Sequence, residues 1–219
     1  MVYRTNLPDT ASVANSQGGE RLFAPSAERN SKPIINLIKR VAPKSGEALE
    51  IASGTGQHMI KLALALPNLS WLPSEVEKKR LNSITAWIKN ENLQNIKSPL
   101  YLDATETGWA DNIPQHDFIL LINLLHLISW NETKTLISEL SKALKTSGVA
   151  LIYGPFMRNG QLISEGDHNF HSSLIQTDPD IGYKSDSDMR KLFSNAGLLL
   201  LETVELPANN LAFVLQKDS

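Results

Sequence analysis

Three carboxylates and a pair of glycines hold the chemistry available to this chain. The segment Glu50-Ile51-Ala52-Ser53-Gly54-Thr55-Gly56-Gln57 runs from an apolar-flanked stretch into the helix-like segment His58–Leu66. Glycines lack a Cβ and take φ > 0, so the backbone can approach a ligand closely. The helix start behind them offers unpaired N–H groups and a positive dipole end to an anionic group. Glu50, at the strand exit, repels a pyrophosphate and welcomes a ligand with positive charge. Glu75 closes Trp71-Leu72-Pro73-Ser74-Glu75, where an acidic side chain can accept both hydroxyls of a ribose. Asp103 follows a third apolar stretch, where a carboxylate can receive the exocyclic amine of an adenine. A solvated surface glutamate and a turn-capping aspartate are the structural alternatives for these two.

The elements that must position these groups alternate. Strands are expected at Ala48–Ile51, Leu69–Leu72, Ile96–Leu102, Phe118–Ile122 and Val149–Tyr153. Helices are expected at His58–Leu66, Glu77–Asn90, Glu132–Leu144 and Ser187–Ala196, the last with Gly197 as its C-terminal cap. A further helix begins at Ser31 as cap, with Pro33 in its first turn, and buries Ile34, Leu37, Ile38 and Val41. Leu198–Leu206 and Leu211–Gln216 are two strands with no helix between them, so the final strand runs antiparallel. The expectation is an α/β, Rossmann-like, seven-stranded, mostly parallel sheet with an antiparallel last strand and helices on both faces. In such sheets ligands bind outside the carboxyl ends of the strands. That rule places Glu50–Gly56, Glu75, Asp103 and Asn123–His126 on one rim. A dinucleotide site wants Gly-x-Gly-x-x-Gly, and here Met59 stands where the third glycine would be. The set points to S-adenosylmethionine rather than to a dinucleotide.

Bulk composition narrows the classes. The chain has 219 residues, a net charge of −2 and 42% hydrophobic residues, as suits one soluble domain of generous size. Residues 1–20 form an expected flexible arm, and 21–219 a single domain with a lid insertion at about 154–184. Without cysteine there is no disulfide, thiolate nucleophile or zinc-thiolate site. No stretch is long and apolar enough for a membrane span, and the start lacks a signal-peptide pattern, so a cytoplasmic location without a membrane partner is expected. The near-neutral balance argues against a nucleic-acid partner. His168 and His171, beside Glu165 and Asp167, superficially suggest a metal pair, but no helical metal motif supports one, and no metal is expected. Oligomeric state is left open.

Several stretches together are similar to the class I S-adenosylmethionine-dependent methyltransferases. More narrowly, the chain resembles the family that includes the human methyltransferase-like protein 26. The stretches are Ala24-Pro25-Ser26-Ala27-Glu28-Arg29-Asn30, Leu49–His58, Pro73-Ser74-Glu75, Asn123-Leu124-Leu125-His126, Tyr153-Gly154-Pro155-Phe156 and Pro207-Ala208-Asn209-Asn210-Leu211. The resemblance implies the reversed last strand and a cofactor lying over Glu50, Ala52, Ser53, Gly54, Gly56 and Glu75. Two positions depart from the pattern: Glu75 stands where the family usually has aspartate, and Ala52 where many methyltransferases have a first glycine. Alanine does not take φ > 0 cheaply.

Methyl transfer from a sulfonium is an in-line displacement, so the enzyme must align an acceptor lone pair and exclude water. A base is needed only for an acceptor that must lose a proton. His126 is the candidate base and Tyr153 a candidate acceptor-binding hydroxyl; a packed histidine and a core tyrosine are the alternatives. Asn123 can bind the methionine amine or the acceptor. Asn30, Phe156, Asn209 and Asn210 are the candidate acceptor contacts, although turn amides commonly bond their own backbone. Trp109 is a candidate to flank the adenine. The acceptor is expected to be a small molecule. A non-catalytic nucleoside-binding module and a nicotinamide-dependent oxidoreductase are the competing readings.

Overall fold

The computed structural model describes residues 7–8, 11, 13–16 and 19–218, so part of the expected N-terminal arm lies outside the described residues. The chain order is β1 (Asn15–Ser16), β2 (Leu22–Phe23), α1 (Pro25–Val41), β3 (Gly46–Ile51), α2 (Gln57–Ala65), β4 (Leu69–Glu75), α3 (Lys78–Glu91), β5 (Leu100–Tyr101) and β6 (His116–Ile122). Then follow α4 (Trp130–Ala143), β7 (Leu144–Met157), α5 (Glu165–Thr177), β8 (Lys184–Ser185), α6 (Asp186–Asn195), β9 (Leu198–Leu206) and β10 (Asn210–Lys217). Seven strands line up as β5-β4-β3-β6-β7-β10-β9, with the short β8 beside β7. β3 is parallel to β4 and β6, whereas β10 is antiparallel to both β7 and β9. The expected fold class is therefore the observed one.

Strand periodicity explains how the sheet is covered. Successive side chains point to opposite faces. Leu49, Ile51, Ile119, Leu121 and Ile152 pack with Leu136 and Leu140 of α4 and Phe193 of α6. Ala48, Phe118, Leu120 and Leu151 pack with Ile34 and Ile38 of α1 and Met59 and Leu62 of α2. Glu50 alternates with Ile51 and so falls on the α1/α2 side, paired in register with Pro73 and Leu120. A carboxylate thus stands at the end of an otherwise apolar face.

Several boundaries move. Helix α1 starts at Pro25, not after Ser31, with proline in its first turn and Pro33 inside. The Ser31 hydroxyl donates back to the Ala27 carbonyl instead of capping a start. The earlier beginning puts Asn30 on the helix, opposite α2. β4 runs through Pro73 because the backbone groups of Trp71 and Glu75 face the β5 side: Trp71 N–H donates to Asn95 O, and Leu102 N–H to Glu75 O. Pro73 shares that direction, where β5 is too short to demand its missing amide. The expected third strand, Ile96–Leu102, shrinks to Leu100–Tyr101 with one bridge from Ile96 to Trp71. The 154–184 region contains the end of β7, helix α5 and the start of β8. Helix α5 opens with a reciprocal capping box between Ser164 and Asp167.

Candidate functional site

A cavity of about 630 Å³ opens at the carboxyl ends of β3, β4 and β6. Glu50 lines it from the end of β3, Ala52, Ser53 and Gly54 from the β3–α2 turn, Glu75 from β4, Asp103 from beyond β5, and Asn123 from beyond β6. Leu7, Pro8, Ala11 and Val13 close it from the N-terminal side. The turn is held in an unusual backbone shape. Ala52 takes φ 54°, Gly54 φ 59°, Gly56 φ 90° and Asn123 φ 56°. Alanine therefore does occupy the left-handed region, at a cost of about 1–2 kcal/mol. Such strain persists only where the surroundings enforce it. Ser53 supplies part of that enforcement: its amide donates to Ser74 O at 2.8 Å, and its hydroxyl accepts from Ser74 N–H at 3.2 Å.

Gly56 does not line the cavity; it is the left-handed cap that starts α2. A Cβ there would meet the Ile84 Cα of α3 at 3.1 Å. The α2 start has no side-chain cap and no acidic residue in its first turn, which leaves its amides open to an anionic group.

The two glutamates differ in how they are satisfied. Glu75 accepts from Gly54 N–H at 2.9 Å and from Val76 N–H at 2.8 Å. Burial nevertheless raises its pKa, against the pull of Arg80 and these amides. Glu50 is 1% exposed, and its Oε2 has no hydrogen-bond partner among the described residues. Burial pushes its pKa up to about 8; the hydrogen bond from Ser53 opposes this, and the nearby Glu75 adds to it. Asp103 caps its own turn, its Oδ1 accepting from Thr105 N–H at 3.0 Å and Oγ1–H at 2.6 Å, while still facing the cavity.

The candidate acceptor residues fall elsewhere. His126 is buried in an aromatic cluster with Phe170 and Tyr183, at ring separations of 5.6 and 6.3 Å. It does not line the cavity, and burial together with Lys184 brings its pKa down to about 3. The near-neutral titration expected of it is thus replaced by a ring that stays uncharged, whose Nδ1 has no partner among the described residues. Tyr153 is 2% exposed, and burial raises its phenol to about 12 against hydrogen bonds with Asn30 and Asn210. Phe156 sits in the core, 4.9 Å from the Phe213 ring, away from the cavity wall. Asn209 donates to Asp167 Oδ2 at 3.0 Å and ties the β9–β10 turn to α5. Asn210 Nδ2 donates to Pro207 O at 3.0 Å within that turn. Trp109 is buried and donates to Ala104 O at 3.1 Å, so its ring packs under the Asp103 loop and is not on the cavity wall. His171 accepts from Tyr183 N–H at 3.1 Å. Among the described residues no group of three or more His, Asp or Glu side chains is arranged to hold a metal.

Sequence reading missed His58. It lines the cavity from the first turn of α2, and its Nε2 lies 2.8 Å from Asn30 Oδ1. Burial lowers its pKa to about 4, with Lys61 adding to the effect, so the ring is neutral at physiological pH. A run of cavity wall to sheet therefore reads His58–Asn30–Tyr153–Asn210. The available signal was a histidine directly behind the glycine turn. Arg80 and Glu77 of the α3 start were missed as well; they line the same mouth and pair at 2.7 Å.

A family profile described as "Protein of unknown function (DUF938)" matches residues 21–217. The chain belongs to the DUF938 family. A tRNA (guanine-N(7)-)-methyltransferase from Rhodopseudomonas palustris (strain HaA2) is 28% identical to this DUF938 chain over 115 residues, which is 48% of the chain and 43% of that relative. Among solved structures, an O-methyltransferase family protein from Burkholderia thailandensis superposes with a TM-score of 0.74 at 14% identity, over 86% of this chain and 56% of its own. Human N-acetylserotonin methyltransferase, solved in complex with SAM, gives a TM-score of 0.73 at 14% identity, over 89% of this chain and 53% of its own. The chain spans about half the length of these proteins. At such identities the likeness establishes the methyltransferase fold. Among the described residues no helix is long and apolar enough to cross a membrane.

Proposed function

We propose that this chain is an S-adenosylmethionine-dependent methyltransferase acting on a small-molecule acceptor. The observation that carries the reading is Glu50: a buried carboxyl with an oxygen unpartnered among the described residues, lining a cavity sized for a nucleoside, beside a strained glycine turn. A buried polar atom without a partner is costly unless a ligand completes it. A cation completes a carboxylate best. The donor set fits the cofactor: Glu75 for the ribose hydroxyls, Asp103 for the adenine amine, the α2 amides for the carboxylate and Glu50 for positive charge. When bound, the cofactor would supply an activated methyl group on sulfur. The chain's own residues bind and orient it, and Leu7, Ala11 and Leu127, which line the cavity and pack against the lid cluster, exclude water. Neutral His58, held by Asn30, is the polar group of the wall nearest the Tyr153 network. Tyr153, Asn209 and Asn210 position the lid and the β9–β10 turn around the acceptor side, and His126 holds the lid's aromatic cluster.

The resemblance to the family of the human methyltransferase-like protein 26 agrees with this reading, as does a cytoplasmic setting. The tRNA methyltransferase relative leaves an RNA acceptor as the rival within the class, although a net charge of −2 offers little to a phosphate backbone. Calorimetric titration of the folded chain with S-adenosylmethionine, S-adenosylhomocysteine and oxidised nicotinamide dinucleotide tests the proposal. Saturable binding of the two sulfur nucleosides and none of the dinucleotide is expected; tighter dinucleotide binding would reverse the assignment.

A further inference from the structure

Glu50 also has a consequence for how the cavity handles charge, which rests on the methyltransferase reading above. Its carboxyl is 1% exposed and stands at the end of a sheet face made of Ala48, Phe118 and Leu120. Its Oε2 has no partner among the described residues, and Ser53 hydrogen-bonds the carboxyl. A carboxylate so placed is expensive without a counter-charge; a carboxylic acid is not. Among the described residues, the titratable groups sharing the cavity are Glu75 from β4, Glu77 and Arg80 from the α3 start, Asp103 from beyond β5 and His58 from α2. β6 contributes apolar Ile122 and, just past its end, Asn123. Of these, Glu75 acts on Glu50 directly, and it opposes ionisation. Arg80 acts on Glu75 and pairs with Glu77. Among the described residues no cation acts on Glu50.

We propose that cofactor binding is coupled to proton release through Glu50: the side chain is a neutral acid in the empty cavity and becomes a carboxylate when the cationic cofactor enters. The balance is simple. The O–H bond of the Glu50 acid breaks, its proton goes to solvent, and the electron pair stays on the carboxylate facing the new positive charge. Burial already holds the empty-cavity acid up to about 8, so at neutral pH the proton is there to be released. A carboxyl whose folded pKa is raised above its unfolded value gives stability that is fully present below about 4.5 and is lost as pH rises through about 8. Binding has the opposite trend, because the bound form favours the ionised acid. Affinity therefore rises with pH, at most about tenfold per pH unit, and levels off above the empty-cavity pKa.

The test is calorimetry at pH 7 in two buffers of different ionisation enthalpy, on wild type and Glu50→Gln, with three probes. Adenosine carries no cation, S-adenosylhomocysteine carries an ammonium, and S-adenosylmethionine carries both ammonium and sulfonium. Glutamine copies the neutral acid in shape, and it leaves the ligand's own ionisation unchanged, so the difference between the two proteins isolates Glu50. Expected is release of about one proton per bound cationic probe in wild type, none with adenosine and none in Glu50→Gln. Release with both sulfur nucleosides assigns the carboxylate to the ammonium, and release with S-adenosylmethionine alone assigns it to the sulfonium. Binding of the sulfur nucleosides without proton release, or equal release in Glu50→Gln, overturns this proposal while leaving the methyltransferase reading intact. No binding by the folded wild type overturns both. Thermal unfolding of the empty protein gives a second readout: wild type should lose midpoint relative to Glu50→Gln as pH rises from about 4.5 to about 8 and level off above that, and superimposable profiles would contradict the neutral acid.

Discussion

Glu75→Ala is expected to weaken binding of S-adenosylhomocysteine by about 1–3 kcal/mol, roughly fivefold to 150-fold. The loss has two parts. The ribose hydroxyls lose an acceptor, and the amides of Gly54 and Val76, at 2.9 and 2.8 Å, lose the group that holds them in place. A third effect runs the other way. Removing Glu75 removes a negative neighbour that disfavours ionised Glu50. That relief is smaller than the effects of burial and of the Ser53 hydrogen bond on Glu50, so the lost hydrogen bonds dominate. Adenosine shares the ribose and should weaken by a similar factor. Titration of both ligands against the variant checks this, and unchanged affinity would place the ribose on other residues.

Gly56→Ala is expected to destabilise the fold by about 2–3 kcal/mol. The backbone there has φ 90°, where a Cβ costs about 1–2 kcal/mol by itself. The new Cβ would also lie 3.1 Å from the Ile84 Cα, and a backbone atom of a packed helix does not step aside like a flexible side-chain tip. Ala52→Gly should move stability the other way by about 1 kcal/mol, because φ 54° costs glycine little. Urea unfolding midpoints at constant m-value measure both changes. A loss below about 0.5 kcal/mol for Gly56→Ala would mean that α2 and α3 are not pinned together at this turn.

Much of the architecture was legible because it rests on periodicity. Alternating strands and helices implied the parallel sheet, and the bare Pro207–Asn210 link implied the reversed last strand seen as β10. The rim residues Glu50, Glu75 and Asp103 were legible for the same reason, since each follows an apolar strand. Helix α1 was misread at its start because Ser31-Lys32-Pro33 has the composition of a helix beginning, while Pro25 six residues earlier is the true one. Helix α5 was hidden because it buries little beyond Asp167 and Leu174, too narrow a stripe for a period to emerge. The environment of His126 could not be read either. Phe170 and Tyr183 surround it from 44 and 57 positions away, and only packing shows that the ring is dry. Pairing of His58 with Asn30 likewise depends on two helices meeting.

On this reading the β3–β4–β6 rim holds the adenosine part of the cofactor, and the cationic amino-acid part meets Glu50. A crystal structure of the chain with S-adenosylhomocysteine tests it most directly. Expected are the ribose hydroxyls on Glu75, the adenine beside Asp103 and the amino-acid end over the Gly54 turn within reach of Glu50. Side chains closing that crevice, or the nucleoside bound at any other place on the molecule, would contradict it.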